Sequence, residues 1–274
     1  MTAHQPEVLL PTRMVAKPWG CPVLPAPFVA PPGERIGEVW FEPPADFAAL
    51  LVKYIFASEK LSVQVHPSDA QTLAKGLGRQ GKEECWLVIA AEPGASLAIG
   101  FKQPVEAGAM LAAALDGSIE DLLVWHPVQP GDFFYIPANT VHAIGAGVSL
   151  IEVQQNSDIT YRLFDYGRPR ELHLDEGMAV AQGTPYPEDL HRRVPPRGSV
   201  TLVDGPLFRL DRIDGSAHAA CRARYPGQVL VIPIDRAVTV SGQQVGAGEC
   251  ALASSLDAVQ FVADGLCLIA QPCS

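Results

Sequence analysis

The sequence predicts an all-β protein: a jelly-roll barrel with a short helical insertion, followed by a second, smaller β domain of the same kind. Three observations lead there. Apolar runs of strand length recur along the whole chain, separated by Gly and Pro turns. Only residues 104–124 are Ala- and Leu-rich with helical spacing. A Pro-, Arg- and Gly-rich link, "PYPEDLHRRVPPRGS" at 185–199, divides the runs into two sets, so the reading is one domain over 1–190 and another over 199–274.

The elements follow in order. Residues 1–45 are rich in proline, which suits extended segments and turns, with strands only at sheet edges. "LLVKYIF" reads as a strand interrupted by one lysine. "LSVQVH" and "ECWLVIA" are strands, and "DAQTLAKGLGRQGK" between them is a short helix or a long turn. "SLAIGF" is a further strand. "PVEAGAMLAAALDGSIEDLLVW" reads as helix, with Pro104 at its start. The β pattern resumes in "GDFFYIPANTVHAI", "VSLIEVQQNS" and "TYRLFDY". Beyond the link come "LFRLDRI", "QVLVIPI", "AVTVSG", "CALASS", "VQFVA" and "LCLIAQP".

Composition excludes several classes. Hydrophobic residues are 48% and charged residues 18% of 274, the balance of a globular chain. A formal net charge of −10 argues against nucleic acid or an anionic membrane as partner, since both need an extended basic footprint. A small anion needs only a local cluster of Lys or Arg. The six cysteines form no C-x-x-C pair and have no zinc-finger spacing, so they read as packing residues in a reducing, cytoplasmic setting. No apolar run follows a basic start at the N-terminus, and no window has the length of a membrane span.

The chemistry begins at "LSVQVHP". Alternation along a strand puts Leu61, Val63 and Val65 on one face and Ser62, Gln64 and His66 on the other. Alone, that is also the pattern of an ordinary strand with its polar face in water. Glu84 opens the strand "ECWLVIA", and His142 ends "GDFFYIPANTVH". Two strand neighbours, a carboxylate and a second imidazole form the mixed N and O donor set that a borderline divalent metal accepts.

"GDFFYIPANTVH" resembles the second cupin motif, G-x5-P-x-G-x2-H, through Gly131, Pro137 and His142. Asn139 stands at the motif's second glycine and tolerates left-handed backbone. The first motif's H-x-H is Q-V-H here. With "LSVQVHP", "GKEECW", "PANTVHAIGAG" and "IEVQQNSDITYRLFDYGRPRELHL", the chain resembles the type I mannose-6-phosphate isomerases from Leu50 to Leu174, in order and in spacing. It departs from them in lacking a large helical insertion, in a shorter loop at "DYGRPRELH", and in "KPWGC" where a tryptophan and two glycines are usual.

The resemblance implies a cupin barrel and a sugar-phosphate substrate, isomerised between mannose 6-phosphate and fructose 6-phosphate through an enediol. It implies one zinc ion, or another divalent metal, held by Gln64, His66, Glu84 and His142. Glu84 rather than Glu83 takes the ligand position, because the family's ligand directly precedes the Cys-Trp pair. Arg162 aligns with the catalytic arginine and Glu152 with an active-site position, while Ser62 and Lys53 belong to the phosphate end.

Such a reaction needs a base of tuned pKa and positive charge beside the enediolate oxygens. Lys82, two residues before Glu84, points the same way on an extended segment. Lys82 and Glu152 are therefore both candidates for proton handling. Arg162 also reads as the partner of Asp165 or Asp158 in an ion pair, and Lys53 as a lysine reaching either an anion or solvent. Trp19, Trp40, Trp86 and Trp125 read as core or cavity walls. With one histidine, His218, and no H-x-H or Q-x-H pair, the second domain reads as metal-free and structural. Three alternatives stay open at this point: an isomerase of unphosphorylated mannose or another aldose, a non-catalytic sugar-binding cupin, and a metal-dependent dioxygenase, against which Gln64 counts.

Overall fold

The computed structural model describes residues 9–273; the expectation about the N-terminus concerns residues that lie partly outside this range. The first set of strands is β1 Thr12–Cys21, β2 Ile36–Phe41, β3 Leu50–Ala57, β4 Val63–Val65, β5 Glu84–Ala91, β6 Ser96–Phe101, β7 Leu123–Pro127, β8 Asp132–Ile136, β9 His142–Ile144, β10 Val148–Gln155, β11 Tyr161–Phe164 and β12 His191–Arg193. They form two sheets, ordered β1-β2-β3-β10-β5-β8-β12 and β11-β4-β9-β6-β7. The second set is β13 Val200–Asp204, β14 Phe208–Asp214, β15 Val229–Pro233, β16 Val238–Val240, β17 Gln243–Val245, β18 Ala251–Ala253, β19 Val259–Gln260 and β20 Leu266–Pro272. These form a five-stranded and a three-stranded sheet. The helices are α1 Asp69–Ala74, α2 Ala107–Asp116, α3 Ile119–Leu122, α4 Leu174–Met178 and α5 Ala219–Arg224. None of the described helices is long and apolar enough to cross a membrane.

The apolar runs have a physical reason. The seven-stranded sheet is covered on both sides, so β3 is buried at every position. Leu50, Val52, Tyr54 and Phe56 join Ile151 and Val153 of β10 and Cys85 and Leu87 of β5 in one core. That same core contains Phe208, Leu210, Leu230, Ile232 and Leu268 of the second barrel. The alternate residues Ile55, Trp86, Val88 and Leu150 pack inside the first barrel. Lys53, Glu84, Glu152 and Gln154 share that inward alternation as buried polar exceptions.

Several expectations need correction. The stretch 104–124 is not one helix: α2 starts at Ala107, Gly117 turns left-handed at φ 88°, and α3 is a single turn before Leu123 enters β7. The tract 185–199 contributes β12, paired with β8, and the buried Val194. β4 is only three residues long. Leu61 precedes it and lines a cavity with Ser62 rather than packing beside Val63 and Val65. Within 1–45, β1 is an edge strand as expected, but β2 lies inside the sheet between β1 and β3. Helix α5, six residues long, is too short to show a helical periodicity in the sequence.

Candidate metal centre and active site

Antiparallel register builds the site. On the seven-stranded sheet Trp40, Lys53, Glu152 and Trp86 lie directly opposite one another across β2, β3, β10 and β5. On the five-stranded sheet Arg162, Gln64 and His142 do the same across β11, β4 and β9. Glu84, two before Trp86, shares its face. The two rows meet inside the barrel: His142 Nε2 is 3.3 Å from Glu84 Oε1, and the His142 ring is edge-on to Trp86 with centroids 5.3 Å apart.

His66, Glu84 and His142 offer ligand atoms that all lie within 4.8 Å of one another, and all three residues are buried. His66 Nε2 is 3.7 Å from Glu84 Oε1. A tetrahedron with bonds of about 2.1 Å has edges of roughly 3.4 Å, so the spacing suits a small divalent ion. The imidazoles are oriented for it. His66 Nδ1 lies 2.8 Å from the Ile159 carbonyl and His142 Nδ1 lies 2.9 Å from that of Thr140, which makes each Nδ1 the N–H donor and leaves each Nε2 a lone pair toward the centre. Glu84 Oε1 is buried without a hydrogen-bond partner. An unpartnered carboxylate oxygen between two imidazole lone pairs is the chemistry of a cation site, so the donor set fits a metal.

Gln64 completes the group from β4. Its Nε2 lies 3.3 Å from His142 Nε2, and its Oε1 accepts from Ser62 Oγ at 3.3 Å. Presenting Oε1 to a cation requires a half-turn of the amide. Glu83, by contrast, is hydrogen-bonded to the Tyr135 hydroxyl outside the site, and its N–H donates to Gln155 Oε1. Asn139 adopts φ 71°, the left-handed turn expected for it. From there its N–H holds the His66 carbonyl at 2.8 Å.

Charges around the centre are strongly perturbed. Burial pushes His142 down to about 4, assisted by the Lys82 charge. Burial and Lys82 also hold His66 well below the ordinary imidazole range. Burial, then the neighbouring Glu152, raises Glu84. Burial acts the same way on Glu152, but Lys82 and Lys53 outweigh it and keep that carboxyl below the usual range. Burial disfavours the Lys82 ammonium, yet Glu84 and Glu152 more than offset this and raise it. Lys82 Nζ donates to Glu84 Oε2 and stands 3.1 Å from His66 Nε2.

A cavity of about 300 Å³ adjoins this centre, lined on that side by Gln64 and Lys82. Lys17, Lys53, Lys82, Arg162 and Arg170 line it, against Glu38, Glu152 and Asp158, so cations prevail locally in a chain of net charge −10. Lys53 is buried, with Nζ 3.3 Å from Glu152 Oε1. Glu152 Oε2 accepts from Trp86 Nε1 at 3.0 Å. The ion pair of Arg162 with Asp165 or Asp158 is absent. Asp165 is taken by Arg170, at 2.6 and 2.7 Å, and by Arg168. Among the described residues no carboxylate pairs with Arg162, and its Nε is buried without a partner.

No family model matches the chain. Over 206 residues it is 34% identical to the mannose-6-phosphate isomerase ManA of Bacillus subtilis, which covers 72% of this chain and 65% of that one. Over this segment the chain is similar to mannose-6-phosphate isomerases. Over 139 residues it is 45% identical to the mannose-6-phosphate isomerase of Streptococcus mutans, covering 48% of this chain and 43% of the other. The matched segments thus span less than two thirds of these relatives' lengths. A crystal structure of the mannose 6-phosphate isomerase from Bacillus subtilis superposes with a TM-score of 0.78 over 96% of this chain and 99% of that chain, at 22% identity. That likeness is one of fold, and the fold is the cupin architecture.

Of one cavity wall, sequence reasoning read only Trp40, as core or cavity wall, and Asp158, as a partner for Arg162; it missed Lys17, Glu38, Thr160 and Arg170. Lys17, Glu38 and Trp40 come from the proline-rich tract, and Asp158, Thr160 and Arg170 from segments flanking β11. The alternation in "GEVWFE" was an available signal: it separates Glu38 and Trp40 from the core residues Val39 and Phe41.

Proposed function

We propose that the protein is a zinc-dependent aldose–ketose isomerase interconverting mannose 6-phosphate and fructose 6-phosphate through an enediol. Gln64, His66, Glu84 and His142 are the metal ligands. Arg162, Glu152 and Lys82 serve the reacting carbons and oxygens, and Ser62 and Lys53 serve the phosphate. One observation carries the reading: Gln64 and Lys82, which touch the His–Glu–His cluster, line the same cavity as Arg162, a guanidinium without a carboxylate partner, and the buried carboxylate of Glu152. A protein that only binds sugar needs hydrogen bonds to hydroxyls. It has no use for an unpaired cation beside a poised base.

Zinc bound here would act as a Lewis acid on the substrate oxygens. Glu152 is held ionised, with Oε1 3.3 Å from Lys53 Nζ, and lines the cavity, so it is our candidate for the base that removes the C2 proton and returns it at C1. Lys82 keeps its proton and donates to an oxygen. Arg162 meets the negative charge that grows on the enediolate oxygens. Lys17, Lys53 and Arg170 supply the positive wall that a phosphate dianion requires. All of these residues lie in 1–190; the 199–274 domain is the structural, metal-free part.

A coupled assay tests the proposal on metal-replete and chelated protein, with free mannose as a parallel substrate. The expected result is turnover of mannose 6-phosphate that chelation abolishes and zinc restores, with free mannose a far poorer substrate. Metal-replete protein that leaves mannose 6-phosphate unchanged would overturn it.

A further inference from the structure

Trp40 has no part in the steps above, yet its ring touches three charged residues. In register on the sheet it lies between Arg13 of β1 and Lys53 of β3. The Arg13 guanidinium carbon is 4.3 Å from the ring centroid and Lys53 Nζ is 4.4 Å from it. Its Nε1 donates to Glu38 Oε2 at 2.5 Å, and Glu38 Oε1 holds Lys17 Nζ at 3.1 Å. Trp40, Lys53, Glu38 and Lys17 all line the cavity.

The two cations on the ring differ. Arg13 is exposed and already paired with Glu42 at 2.7 Å. Lys53 is buried, and Glu152 is its one carboxylate neighbour among the described residues, at 3.3 Å. A ring face attracts an ammonium most strongly where water is excluded. The Lys53 ammonium is therefore shared between two anchors, Glu152 on one side and the indole on the other. Without the ring, only Glu152 would remain, and the ammonium would settle onto that carboxylate, leaving less of its charge for an anion in the cavity.

We propose that Trp40 is a positioning residue that keeps the Lys53 ammonium from closing onto Glu152, leaving its charge available in the cavity, and so sets the affinity for the substrate's anionic group. This rests on the isomerase reading for the identity of the substrate, but not for the geometry.

The test compares Trp40→Leu, Trp40→Gln, Lys53→Met and the Trp40→Leu/Lys53→Met double variant with wild type. The glutamine keeps a donor for Glu38 and lacks the ring face. The readouts are kcat and KM for mannose 6-phosphate, its Kd by titration calorimetry, and zinc content. Both Trp40 variants should raise KM and Kd about tenfold, with kcat within threefold and zinc unchanged. In the Lys53→Met background, Trp40→Leu should add less than twofold, because the residue it acts through is gone. If Trp40→Leu does not fold, Trp40→Gln decides alone. KM and Kd within twofold of wild type would overturn the inference. Equal, additive losses in the two backgrounds would also overturn it, reducing Trp40 to packing. A wild type without turnover would overturn the isomerase reading only, since the calorimetric comparison still judges Trp40.

Discussion

Replacing Arg162 by alanine separates a catalytic residue from a scaffold residue, because the structure assigns the two roles different costs. A scaffold arginine would lose an ion pair. Arg162 has none to lose: Asp165 is held by Arg170 and Arg168, and the Arg162 Nε is buried without a partner. Burial pulls the guanidinium below its ordinary range, so the charge is held there at a cost. Removing it should change stability by under about 1 kcal/mol, or roughly 2–4 °C in melting temperature for a chain of this size. The kinetic cost is different in kind. A well-placed donor lost from a preorganised site costs roughly 10²–10³-fold in kcat, about 3–4 kcal/mol. Charge appears on the substrate oxygens only as the enediolate forms, so KM should stay within about threefold. Arg162→Lys should recover little, since a lysine offers a point charge rather than a planar fork. Zinc content should be unchanged, because arginine is no ligand. The measurement is kcat, KM, zinc and melting temperature on one preparation. Near-normal kcat with a melting temperature lowered by more than about 5 °C would refute the reasoning and return Arg162 to the scaffold.

Other perturbations give equally definite outcomes. His66→Ala and His142→Ala should each lose most bound zinc by metal analysis, and chelation should lower the melting temperature of wild type, since a ligand that binds only the native state stabilises it; full occupancy in both variants would exclude these ligands. A 1–198 fragment should aggregate on expression, because Phe208, Leu210, Ile232 and Leu268 cover the outer face of the seven-stranded sheet. Four such side chains at roughly 1.5–3 kcal/mol each match a domain's whole net stability, and a soluble, active fragment would contradict this. Alkylation of native protein should modify Cys21 and Cys273 well before the others by mass spectrometry. Cys85, Cys221, Cys250 and Cys267 are buried thiols whose pKa burial raises.

The residues that could be read from the sequence are those whose partners lie nearby along it. "QVH" declares itself because period two puts Gln64 and His66 on one face within a single strand. Glu84 and Trp86 follow the same rule, whereas the choice of Glu84 over Glu83 came from the family resemblance at the Cys-Trp pair. Lys53 stood out because a charge inside an apolar strand demands a partner, although which partner it has could not be read. Glu152 lies 99 positions away in the chain and becomes its neighbour only through the antiparallel register of β3 and β10. Trp40 was hidden for the same reason and for a second one. Its strand lies in a proline-rich tract, where composition argues for turns, yet no proline falls inside β2 itself. The prolines flank that strand, leaving its backbone donors free to pair with β1 and β3. Proline content therefore limited where β2 could begin and end, not whether it could lie inside the sheet, and that position puts Trp40 beside Lys53.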